Sequence, residues 1–197
     1  MNYAAINAKL CAMGARGYAS QDDESINQTV TNICRYIPSK AHKSFIAAMA
    51  GQHERGLDYY TSQWKQLNRL DKPNRTALRR LLGMEIDLNN ILWMYRLKRY
   101  HRITGDTTFG YLVPIRYRLS REATRRMVDC VTPQALLDEV ALGPYSADFV
   151  HLNTTSPLNQ PTPEQILTNA ISRRYQAAAR RFPNTLVPVL AYLYKIR

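Results

Sequence analysis

Cysteine is scarce in this chain: Cys11, Cys34 and Cys130 are the only three in 197 residues, and no two stand in a C-x-x-C spacing. An odd, unpatterned set excludes a disulfide framework and a zinc knuckle, and it points to a reduced, cytosolic compartment. Glycine is also sparse, at eight residues, and no alternating apolar and polar run is flanked by hairpin turn signals. Sheet is therefore not expected, and the periodicity favours an all-α protein. Long apolar runs are missing as well. The longest, LVPVLAYLY at residues 186–194, falls well short of the roughly 20 residues that cross a bilayer as a helix. The opening MNYAAINAKLCAMGARGYAS has neither the basic n-region nor the continuous apolar stretch of a secretory signal. Without export, the Asn-x-Thr triplets at Asn27, Asn74 and Asn153 are chance matches.

Acidic residues are in deficit, 15 against 27 basic ones, which leaves a net charge of +12. Such a surplus favours an anionic partner: nucleic acid, lipid headgroups or an acidic protein. Motifs for nucleotide binding are absent, with no G-x-x-x-x-G-K-S/T loop and no G-x-G-x-x-G. His53-Glu54 fails as a zinc motif because position 57 is leucine, and His42, His53, His101 and His151 lack ligand spacing. These histidines are expected at the surface or at interfaces, and neither a metal nor a cofactor is expected.

The length suits one sizeable domain or two small ones. A first helix is expected over residues 2–13, where Tyr3, Ile6, Leu10 and Met13 share a stripe. A second follows Ser20, with Asp22, Asp23 and Glu24 near the positive end of its dipole. From about Lys43 a long helix is expected to reach Leu70, carrying Phe45, Met49, Leu57, Tyr60, Trp64 and Leu67, with Gly51 and Gly56 inside it. Asp71 and Pro73 then signal a new start, and the next helix runs to about Arg102, with Gly83 marking where it could bend. Residues 104–119 read as an ordered connection. Shorter helices follow Ser120 and Thr132, and GPYSADF at 143–149 reads as a turn into a helical stub. NTTSPLNQPTP at 153–163 is the most loop-like stretch; it ends in Thr162-Pro163-Glu164-Gln165, a capping-box start for a helix that Pro183 stops. A final apolar piece carries Leu186 to Tyr194. The division implied is an N-terminal helical segment over 1–40, a central helical unit over 41–152, and a C-terminal helical segment over 153–197.

Within GMEIDLNNILWMYRLKRYH, residues 83–101, Glu85, Asp87, Asn89, Asn90 and Arg96 sit inside a stretch too apolar for a surface helix. At about 100° per residue, Leu81, Met84, Leu88, Ile91 and Tyr95 form one stripe, and Leu82, Ile86, Trp93, Leu97 and Tyr100 form another. Glu85, Asn89 and Arg96 fall between them. Burying an unpaired charge is costly, so these three are expected to enter an interhelical polar network. Asp87 and Asn90 point to the other side, where they could fix a neighbouring helix end or loop. Glu85 and Asp87 diverge by about 200° on a helix and cannot address one substrate together, so an acid-pair enzyme is the weakest reading.

EIDLNNI followed by Arg96 and Lys98 resembles the E-I-D-L-x-N-I-x-x-x-x-R-x-K segment of the central-stalk socket component of V-type and A-type rotary ATPases, known as the C-type subunit in prokaryotes and the d-type subunit in eukaryotes. DYYTSQW at 58–64 and NRTALRRLLG at 74–83 are similar to the family's YY-x-x-x-W and N-R-x-x-L-R-x-L-x-G stretches. LVPIRYRLS, GPYSADF and the closing RRFPNTLVPVLAYLY resemble further family segments, and YAAINAKLCAM resembles its first helix. The resemblance implies a funnel-like array of pseudo-repeated helical units without catalytic activity, peripheral at the inner face of the membrane. It also implies that the chain rests on the proteolipid ring, receives the central stalk, and couples ATP-driven proton or sodium transport. Family members typically hold three such units and a final helix after a K-E-x-E-I pattern. This chain has length for about two units and closes at Lys195-Ile196-Arg197, so a shortened relative is expected.

Two arginine clusters, Arg121, Arg125 and Arg126, and Arg173, Arg174, Arg180 and Arg181, are either solvated helix sides or docks for an acidic stalk protein or for headgroups around the ring. The competing reading of the charge is a basic helical nucleic-acid-binding or scaffold protein. It lacks any recognisable helix-turn-helix, zinc finger or RNA-binding signature, so nucleic acid is not the expected partner.

Overall fold

The computed structural model describes Ile6, Leu10 and residues 23–37, 39–50, 56–149 and 162–196. Every regular element among them is helical, and no strand occurs among the described residues. In chain order the α-helices are α1 Asp23–Cys34, α2 Lys40–Ala50, α3 Leu57–Gln66 and α4 Lys72–Arg96, followed by α5 Arg121–Asp129, α6 Pro133–Ala141, α7 Ser146–Phe149, α8 Pro163–Arg181 and α9 Val187–Ile196. Apart from Ile6 and Leu10, both helical and buried, the helix expected over 2–13 lies outside the described residues, as does most of the 153–163 linker.

Two compact units result, Met1–Leu81 with Ser172–Arg197, and Leu82–Ile171; the division falls inside α4 and inside α8. In the first unit α1 packs on α2, α2 on α3, and α9 on both α1 and α2. The pattern behind this is helical spacing: Ile26, Val30 and Ile33 of α1, Phe45, Ile46 and Met49 of α2, and Leu190 and Leu193 of α9 are all buried. Each such side chain contributes roughly 1.5–3 kcal/mol when fully removed from water. Tyr175 stacks on Tyr194 with ring centres 5.2 Å apart, and the Tyr59 hydroxyl meets Met49 Sδ at 3.0 Å.

The helix expected from about Lys43 to Leu70, with Gly51 and Gly56 as its weak points, is two helices among the described residues. α2 ends at Ala50, and α3 begins after Gly56, which is extended at φ −85° and ψ −169°. A 3-10 turn, Leu67–Arg69, closes α3. The apolar spacing carries across the interruption, which is why periodicity alone joined the two pieces.

In the second unit α6 packs on α5 and α7, and a 3-10 stretch, Gly105–Tyr111, packs on α5. Local capping sets the starts. The Ser120 hydroxyl accepts from Ala123 N–H at 3.0 Å, and Thr132 accepts from Ala135 N–H at 3.1 Å with Pro133 at the first helical position. Thr162 and Gln165 form the reciprocal pair of a capping box, at 2.8 and 3.2 Å.

α4 organises the second unit. It continues past Arg96 as a π turn, Leu97–His101, and stops where Arg102 adopts a left-handed φ of 53° and donates its N–H to Leu97 O. From Leu81 to Leu88 every residue is buried, so this stretch has no solvent face. Helical structure passes through Gly83 without interruption. The glycine serves close approach: a Cβ there would lie 2.5 Å from Tyr117 Cγ and 2.7 Å from Cδ2.

Gly83→Ala is therefore expected to destabilise the protein by about 1–3 kcal/mol, the usual cost of overpacking, despite alanine's better helix propensity. Because Tyr117 is the clashing group, Tyr117→Ala in the same chain should recover most of that loss. Denaturant midpoints of the four chains of the double-mutant cycle measure the coupling, and additive losses would show that Tyr117 is not the cause.

Candidate functional site

Asp87 is 1 % exposed and collects four donors. Its Oδ1 accepts the Tyr117 N–H at 3.1 Å, and its Oδ2 accepts the N–H groups of Arg118 at 2.6 Å and Leu119 at 3.2 Å and the Tyr145 hydroxyl at 2.8 Å. Burial is the largest influence on this carboxyl and holds its pKa above the ordinary aspartate value, against the lowering effect of those bonds. One turn on, Asn90 donates to Val113 O at 3.0 Å and accepts from Val113 N–H at 2.9 Å. The amide thereby stands in for the backbone of a strand partner. Lys98, also buried, gives its ammonium to Val128 O at 2.8 Å and Cys130 O at 2.5 Å, carbonyls at the C-terminal end of α5. Burial lowers the Lys98 pKa. At about 100° per residue these three side chains leave one side of α4, and together they hold the segment 112–119 and the end of α5.

The other side of the helix is arranged differently. Glu85 is 1 % exposed, and the Asn89 amide turns back along its own helix to donate to Glu85 O at 2.8 Å. Arg96 reaches α8, where its Nε meets Glu164 Oε1 at 3.1 Å, with the two side chains 38 % and 33 % exposed. Its guanidinium lies 5.8 Å from the centre of the Trp93 ring. Arg96 thus meets its acid on α8 at a half-exposed position, because the second apolar stripe surfaces at the end of α4 and in the π turn after it: Trp93 is 37 % and Tyr100 65 % exposed, so water reaches Arg96.

On α5, Arg121, Arg125 and Arg126 are exposed. Arg125 pairs with Asp106 at 2.7 Å and Asp129 at 3.0 Å and lies 5.7 Å over the Phe109 ring, while Arg126 pairs with Glu139. These arginines border a cavity of about 780 Å³. In the first unit, the C-terminal part of α8 carries Arg173, Arg180 and Arg181, all exposed, and the half-buried Arg174. Arg181 lies 5.7 Å from the Phe182 ring centre. Among the described residues no group of three His, Cys, Asp or Glu side chains could hold a metal.

Sequence reasoning missed a relay in the first unit. His42, expected at a surface or interface, is buried, and its Nε2 lies 2.7 Å from Asp71 Oδ1. Asn74 Nδ2 donates to the same oxygen at 2.7 Å, and Asn74 Oδ1 accepts the Leu186 N–H at 2.7 Å. The available signal was position: Asp71 and Asn74 bracket the first turn of α4, where side chains meet orphan donors. Tyr145 and Lys98 went unassigned for the opposite reason, since their partners lie 58 and about 30 residues away.

Removal of the Asp87 carboxylate should matter most. Asp87→Ala would leave the N–H groups of Tyr117, Arg118 and the buried Leu119 and the buried Tyr145 hydroxyl without this acceptor, and a loss on the order of 3 kcal/mol is expected in denaturant unfolding. With its pKa raised, Asp87 holds its proton more tightly in the folded than in the unfolded chain. Its contribution is then full below the ordinary aspartate value of about 3.9 and is lost as pH rises through the folded pKa. The stability of the wild type minus that of Asp87→Asn should accordingly fall as pH rises over that window. The pair Arg96 and Glu164, by contrast, is solvated, and a double-mutant cycle should give a coupling below about 1 kcal/mol that shrinks with added salt. A larger, salt-insensitive coupling would mean that the pair is shielded.

No curated protein and no solved structure matches the chain. A family model described as "ATP synthase (C/AC39) subunit" matches residues 56–196. That match spans α3 to α9 and takes in Asp87, Asn90, Lys98, Tyr145 and both arginine clusters. With well over half of its length inside the match, the chain belongs to the ATP synthase C/AC39 subunit family.

Proposed function

We propose that this chain is the non-catalytic coupling component of a V-type or A-type rotary ATPase, linking the central stalk to the membrane proteolipid ring during ATP-driven proton or sodium transport. The observation that carries the reading is the family match over residues 56–196. The geometry of α4 supports it in physical terms. A part that passes torque must not yield locally, and a helix whose buried acid, amide and ammonium each hold a distant backbone segment resists local opening. The two arginine clusters, exposed apart from the half-buried Arg174, supply the docking faces. Arg173, Arg174, Arg180 and Arg181 would meet an acidic stalk protein, and Arg121, Arg125 and Arg126 would meet anionic groups at the membrane. No described helix is long and apolar enough to cross a membrane, so the ring would supply the attachment at its inner face.

Affinity capture with the tagged chain, against the stalk and proteolipid proteins of its own source, tests this directly. Both classes are expected to be retained, and charge reversal of the exposed Arg180 is expected to weaken stalk capture with no change in melting midpoint. Failure to retain any rotor protein, together with tight binding of random duplex DNA at physiological salt, would replace this reading with that of a basic nucleic-acid-binding protein.

A further inference from the structure

The cavity of about 780 Å³ in the second unit is lined by Arg116, Arg121, Arg125 and Arg126, by Asp106 and Glu122, and by Phe109 and Thr124. Four guanidiniums thus share one cleft with two carboxylates, and the acids that pair Arg125 and Arg126 from outside the lining, Asp129 and Glu139, leave Arg116 and Arg121 as the lining arginines without an ion pair among the described residues. Two of the arginines are held in place by carboxylates, one of which, Asp106, belongs to the lining itself. Arg125 is fixed by Asp106 and Asp129 and lies over the Phe109 ring, and Arg126 is fixed by Glu139. A guanidinium has five N–H donors, so one or two carboxylate contacts leave others free to face a ligand. Arg121 and Arg125 are four residues apart on α5 and so share one side of the helix, where both can reach a single anion. The volume lies within the roughly 300–1,000 Å³ of small-ligand clefts and exceeds what a single carboxylate side chain would fill.

We infer that this cleft is a binding site for a phosphate polyanion, either the phosphorylated headgroup of an inositol lipid or a soluble polyphosphate. Phosphate suits it better than an acidic peptide does. Tetrahedral oxygens accept from guanidiniums that converge from several sides, and each can be met by a two-pronged fork. A peptide presents its carboxylates singly along an extended chain. The inference deepens the anion-facing role given above to Arg121, Arg125 and Arg126 and rests on that reading of them.

Titration calorimetry of the full chain with inorganic tripolyphosphate, and flotation with phosphatidylcholine vesicles with or without phosphatidylinositol phosphate, test it without any rotor protein. Binding of tripolyphosphate, of the phosphoinositide vesicles, or of both is expected. The first alone would identify a soluble ligand, and vesicle binding that tripolyphosphate competes away would identify a headgroup. Arg116→Gln with Arg121→Gln should weaken binding about tenfold or more, since each removes a charge-assisted contact. Both side chains are exposed, so an unchanged melting midpoint is expected to confirm that the variant folds. Absence of binding to either probe overturns the inference, as does binding that the double variant leaves intact. Equal binding of poly-glutamate, lost in the same variant, also overturns it in favour of an acidic protein partner. Because stalk capture is measured separately, loss of one result leaves the other standing.

Discussion

A helix with no solvent face has to place every polar group it carries, and the carboxylate of Asp87 is where this constraint is tightest. Leu81 to Leu88 are all buried, yet the stretch contains two acids. Asp87 is tolerable there only because three peptide N–H groups and a phenol converge on it. The dependence is mutual. Residues 112–119 adopt neither α-helix nor strand, so their own N–H groups need partners, and Asp87 and Asn90 supply them. Tyr145 brings the turn before α7 to the same carboxylate, and Lys98 closes the end of α5. One side of one helix therefore determines where three otherwise irregular or terminal pieces of backbone lie.

What was legible in the sequence was whatever depends on neighbours in the chain. Ser120, Thr132 and Thr162 start helices through bonds three residues long, so their capping could be read directly. The all-α class followed from periodicity in the same way. Contacts between distant residues were not legible: Arg96 with Glu164 spans 68 positions, and Asn74 with Leu186 spans 112. Gly83 shows a subtler limit. A glycine in a helix signals either a bend or a close approach, and only the position of Tyr117 distinguishes them. The break between α2 and α3 was marked only by Gly51 and Gly56, because apolar spacing on both sides happens to stay in phase.

The two kinds of charge in this protein do different work. Inside, ionised groups touch backbone, where a lost partner strands a buried donor and the cost is large. Outside, the pairs at Arg125 and Arg126 keep their guanidiniums in water, and the half-exposed one with Asp129 contributes little to stability. Their consequence is geometric: a guanidinium already held by a carboxylate has given up much of its rotamer freedom before any partner arrives, so less is lost on binding.

That separation bears on the proposed coupling role, in which one chain would both carry load and dock partners. If the groups that hold the fold were also the groups that meet partners, each binding event would loosen the scaffold. Here the buried set, Asp87, Asn90 and Lys98, and the exposed set, Arg116, Arg121, Arg125 and Arg126, share no residue, although both act on the backbone between 112 and 130. Arg116 and Arg118 flank Tyr117 in the very segment whose N–H groups Asp87 captures. The buried acid thus places the exposed base: holding the backbone of 117–119 by three bonds fixes the point from which Arg116 reaches the cleft. The backbone of 117–119 meets α4 through three bonds to one short, buried carboxylate, a side chain with few rotamers to lose, so displacement of that segment is passed directly to the helix.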